Sequence, residues 1–128
     1  QLVEEVGAYL DGTALDLFCR RGALVPPWAW LNVLAHGSAR AVEARARRHQ
    51  EVFEPGGSWG WAVGVLATEM LRAAGGDRAE LGRIQREVVL PLEISLLGRA
   101  PVSVPPPTQL VSIACARLRA RPGTHSVG

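Results

Sequence analysis

Ser58-Trp-Gly-Trp-Ala-Val-Gly-Val-Leu-Ala-Thr-Glu-Met-Leu-Arg-Ala-Ala-Gly-Gly76 is the stretch on which the fold turns. Trp59, Ala62, Val63, Leu66, Ala67, Met70 and Ala73 recur at helical spacing, and Trp61 with Val65 widens the stripe. A helix that is apolar around most of its circumference is covered by neighbours instead of lying on a rim. Pro55-Gly56-Gly57 interrupts the chain before it, Ser58 is placed to cap its first turn, and Gly75-Gly76 can end it in a left-handed turn. The apolar run from Trp59 to Thr68 is too short to span a bilayer and is followed by Glu69 and Arg72. Residues 58–76 therefore read as a buried central helix. On this helix Glu69 reads as a partner for Arg72 or another arginine.

Working outward toward the C-terminus, Asp77 with Glu80 three positions on forms a capping-box-like start. The helix that follows carries Leu81, Ile84, Val88, Val89, Leu92 and Leu96 as far as Gly98, with a kink or break expected at Pro91. Pro101, Pro105, Pro106 and Pro107 make residues 99–107 an extended, polyproline-like segment. Thr108 then caps a last helix over 109–120, with Leu110, Val111, Ala114 and Leu118 inward, and 122–128 reads as a loose tail.

Toward the N-terminus, Ser38 caps a helix over 39–53 that buries Val42, Ala46, His49 or Val52, and Phe53. Its other side alternates Arg40, Glu43, Arg47 and Glu51, a solvated charged face. Pro27 opens a short helix over 28–36. A first helix over 2–21 places Glu4 and Glu5 in its first turn and Arg20 and Arg21 in its last, the order that suits the helix dipole. No segment shows sustained two-residue alternation. The expected architecture is all-α, a single-domain bundle over 1–121 of five or six helices around the central one.

Composition limits the function. The chain has 128 residues, 48% of them apolar, enough for one packed domain. All 14 basic residues are arginine, a bias that points to a GC-rich coding genome, and the net charge of +2 is too small to drive nucleic-acid binding in bulk. Cys19 and Cys115 stand in no metal-ligand or redox spacing and read as reduced, buried thiols. On that reading of the thiols, the expected compartment is the cytoplasm. His36, His49 and His125 are in no Glu-x-x-His or His-Glu-x-x-His register, so no metal and no cofactor are expected.

Two features suggest contact with a partner. Trp28 and Trp30 are two apart, as are Trp59 and Trp61, and residues two apart on a helix point about 200° from each other. One buried face cannot take both members of a pair, and Trp is enriched in contact hot spots. Trp28 and Trp59 are the candidates. From Ile94 onward there is no acid, whereas Arg117, Arg119 and Arg121 fall at the end of the last helix. The expected function is a non-enzymatic interaction, regulatory or adaptor domain that binds another protein or a second copy of itself. The alternatives are a nucleic-acid-binding module using the arginine-rich helix and an enzyme without a recognisable motif.

Overall fold

The computed structural model describes residues 30–99 and 104–121. The expected helix over 2–21, Cys19, Trp28, His125 and the tail over 122–128 lie outside the described residues. Among those residues the fold is five helical rods with no strand. They are α1 (Trp30–His36), α2 (Ala39–Glu51), α3 (Trp59–Ala74), a long rod made of α4 (Arg78–Ile84) and α5 (Leu90–Arg99), and α6 (Pro107–Ala120). A π-helical turn, Gln85–Val89, joins α4 to α5.

The caps expected at Ser38, Ser58 and Asp77 form. Ser38 Oγ accepts from the Ala41 N–H at 3.1 Å, Ser58 Oγ from the Trp61 N–H at 3.0 Å, and Asp77 Oδ1 from the Ala79 N–H at 2.9 Å. Gly75 ends α3 with φ 60°, and its N–H reaches the Leu71 and Arg72 carbonyls. That left-handed conformation favours glycine, which has no Cβ to clash.

The α3 helix is the centre of the described fold, packing against α1, α2, α4 and α6. Ala62, Val63, Leu66, Ala67 and Met70 are buried within it. Leu31 and Leu34 of α1, Val42 and Ala46 of α2, Leu81 and Ile84 of α4, and Leu110 and Ala114 of α6 complete an aliphatic core.

Four expectations are corrected. Phe53 is not buried but 93% exposed, because α2 ends at Glu51 and Val52 is already extended at φ −118°. No break occurs at Pro91: the Leu90 N–H bonds the Gln85 carbonyl five residues back, and this widened turn takes up the misfit of the proline ring with the preceding turn. The Gln85 side chain meanwhile donates to the carbonyls of Leu34 at 2.9 Å and Gly37 at 2.8 Å, closing the end of α1. The last helix starts earlier than expected, at Pro107, whose missing N–H is no loss in a first turn. The reciprocal half of the capping box does not form: the Asp77 N–H bonds the Ala74 carbonyl at 3.1 Å, and Glu80 is buried among arginines instead.

Candidate functional site

The loop over 52–58 is the most conspicuous surface feature, and its cause lies underneath it. Val42, Arg45, Ala46 and His49 share one face of α2 by helical spacing, so Arg45 is carried inward and is completely buried. Its guanidinium donates to Glu54 Oε2 at 2.9 Å and to the Gly60 carbonyl. One side chain thus ties α2, the loop and the first turn of α3 together.

Two glycines one turn apart on α3 make room for this arrangement. A Cβ on Gly60 would run into the Glu54 carboxylate. A Cβ on Gly64 would lie 2.6 Å from His49 Cγ and closer still to Nδ1. The imidazole therefore rests on bare backbone, and its Nδ1 is buried without a hydrogen-bond partner among the described residues. Burial, and then the charge of Arg45, push the His49 pKa below its ordinary 6.5, with Glu54 opposing.

The loop is held at further points. The Val52 N–H bonds the Arg48 carbonyl at 3.0 Å, the Ser58 N–H bonds the Pro55 carbonyl at 3.3 Å, and Gly57 turns at φ 92°. Between these ties Phe53 stands in water. Trp59, at the start of α3, is half-buried and packs against the core, and Trp61 is also half-buried. The expected division of this pair into one buried and one exposed indole is not what the structure shows: both are intermediate.

The arginines of α6 differ among themselves. Arg117 and Arg119 are exposed and pair with no acid among the described residues. Arg121 is turned inward: it contacts Glu80 at 2.9 Å and Glu87 at 3.5 Å, with its side chain only 10% exposed. Its guanidinium is engaged within the chain. Arg119 also borders a cleft of about 340 Å³ between α3 and α6, with Cys115, Leu118 and Ala73 in its wall. Glu69 and Arg72 at the rim pair at 2.8 Å, as expected of that carboxylate. Burial, reinforced by Glu69, raises the Cys115 pKa, with Arg119 and Arg72 opposing, so the thiol is a poor nucleophile.

Among the described residues no three His, Cys, Asp or Glu side chains lie together as a metal would require, and no helix is long and apolar enough to cross a membrane. Compared with known proteins, the chain matches no family model, no curated protein and no solved structure. Sequence reading missed the Arg45 strut and the Phe53 loop. Both had a signal: Arg45 shares the stripe of Val42, Ala46 and His49, and Gly60 and Gly64 stand four apart on the most apolar helix.

Proposed function

We propose that the protein is a helical interaction domain that binds another protein through the Phe53 loop. The observation that supports this reading is an aromatic ring held in water by a loop that is itself pinned. Exposing a phenylalanine forfeits its burial, worth roughly 1.5–3 kcal/mol. Floppy loops do this at no further cost, but here the adjacent residue, Glu54, is fixed to a buried arginine. A rigidly presented aromatic loses little freedom on binding, which is the property of a contact anchor. The partner in this reading offers an apolar pocket for the ring, with the half-buried Trp59 contributing at the edge. Regulatory or adaptor work in the cytoplasm is the setting we propose for it.

A second reading draws on Arg117 and Arg119, exposed and without an acid nearby on their helix: an acidic partner or a nucleic acid would meet α6. Salt separates the two, since phosphate contacts weaken steeply with ionic strength and an apolar anchor does not.

The direct test places a photo-reactive amino acid at position 53 and, as a control, at the exposed position Gln109. A single partner of defined mass, captured from 53 and not from 109, is the expected result, and an excess of probe-free parent protein should suppress the capture whereas an excess of Phe53→Ala protein should not. Equal capture at both positions would refute the loop as the contact surface.

A further inference from the structure

We propose that the cleft between α3 and α6 binds a small amphipathic monocarboxylate, its head held by Arg72 and Arg119 and its chain laid along Ala73, Cys115 and Leu118. The proposal is independent of the Phe53 loop: that loop precedes α3, whereas the cleft lies beside the last turns of α3 and α6.

The sequence builds the cleft from two matching triplets. Glu69, Arg72 and Ala73 stand at i, i+3 and i+4 on α3, and Cys115, Leu118 and Arg119 repeat that spacing on α6. Residues so spaced share one helix face, so each helix turns a single stripe toward the gap. Small side chains at Ala73 and Cys115 leave the gap open, with a volume of about 340 Å³. Small-molecule sites run to roughly 300–1,000 Å³, so this one suits a small occupant. Its wall is apolar: Ala73 and Leu118 also pack against the core, and an un-ionised cysteine behaves as a small hydrophobe.

The charges at the rim select the head group. Arg119 pairs with no acid among the described residues. Arg72 meets Glu69 at 2.8 Å, but its side chain is 71% exposed, and surface pairs of this kind are weak. A guanidinium has five N–H donors, more than one Glu69 carboxylate takes up, so Arg72 can hold a second carboxylate. Two guanidinia against one carboxylate leave one net positive charge, which matches a monoanion and not a phosphate dianion. Both arginines stand in the last turns of their helices, where the backbone offers carbonyls and not free N–H groups, so the side chains supply the donors. A planar carboxylate accepts paired N–H groups from a guanidinium fork. No aromatic ring stands in the wall to stack a nucleobase, which argues against a nucleotide.

A hollow of about 210 Å³ between α2, α3 and α4 shows the contrast. Its polar wall holds Glu43, Asp77 and Arg78, and that arginine already meets Glu43 at 3.1 Å. Two acids against one cation leave nothing there for an anion.

Titration of the amide resonances of the full chain with hexanoate, at about pH 7.5 where the acid is ionised, tests this. Hexanoate should bind once, with a Kd on the order of 1 mM as suits about eight non-hydrogen atoms, and should shift residues 69–73 and 115–119 most. Arg72→Gln and Arg119→Gln should each weaken it at least about tenfold, the loss expected for a charge-assisted hydrogen bond. The neutral probe 1-hexanol should bind at least about tenfold more weakly than hexanoate for the same reason, and inorganic phosphate should not displace hexanoate. Arg117→Gln, at a position outside the wall, should leave the affinity unchanged. Five results would each overturn the proposal: no saturation, shifts centred elsewhere, full affinity in a folded Arg119→Gln protein, equal loss in Arg117→Gln, or displacement by phosphate. Should the Arg119 variant fail to fold, hexanoate against 1-hexanol on the parent chain decides, and equal affinity for the two rejects the site. The cross-linking result at position 53 does not enter, so the two readings can fail independently.

Discussion

Among the described residues, two places use an arginine to reach a carboxylate on another element at 2.9 Å, and they are built in opposite ways. At the loop the cation is the buried member: Arg45 has no exposed surface, while the Glu54 side chain keeps 19%. At the end of α6 the anion is the buried member: Glu80 keeps 5%, and Arg121 keeps 10%. The second site is also shared, since Arg83 stands 3.4 Å from Glu80 and Glu87 lies at the far side of Arg121. A buried charge that loses a partner costs far more than a surface charge that does, because it cannot return to water. The loop strut and the α6 clamp should therefore fail differently when cut.

The largest effect is expected from Glu54→Ala, which takes the Glu54 carboxylate away from the completely buried Arg45 guanidinium. Breaking a buried pair from one side costs about 3–5 kcal/mol. Urea denaturation with an unchanged slope would measure it. A loss below about 1 kcal/mol, the size of an exposed pair, would mean that the strut carries little. Arg121→Ala should be milder, about 1–3 kcal/mol, because Glu80 keeps Arg83 beside it. If Arg121→Ala proved the more damaging of the two, the ordering by buried member would be wrong.

What the sequence made legible follows the same line. The central helix could be read because its apolar residues recur on every side, and Ser58, Asp77 and Gly75 mark ends by local chemistry that needs no distant partner. Phe53 was misread because periodicity alone extends α2 past Glu51; the competing pull comes from Arg45, which captures Glu54 only once α2 and α3 are packed. Arg45 itself was passed over because an arginine on a charged helix is solvated by default. The hold of Gln85 on the end of α1 likewise spans 51 residues of sequence, beyond the reach of any local pattern. For the candidate site, the arginines of α6 were visible as a charge run, but which one turns inward was not: that depends on Glu80, brought there by the packing of α4.

The smallest effect on stability is expected at the residue we place at the centre of function. Phe53 is 93% exposed, so Phe53→Ala removes almost no buried area and should change stability by less than about 0.5 kcal/mol, the range of surface substitutions. It can even stabilise slightly, if the ring makes transient apolar contacts in the unfolded chain. The contrast with Glu54→Ala is the sharpest available, since the two residues are neighbours in sequence and one is held by the core while the other is held out of it. Binding should show the reverse sensitivity for Phe53→Ala: affinity lost with the melting temperature unchanged, as for a hot-spot aromatic truncated in a rigid setting. A clear drop in melting temperature for Phe53→Ala would place the ring against other parts of the chain in solution, and the loop would then be part of the core's cover instead of a surface offered to a partner.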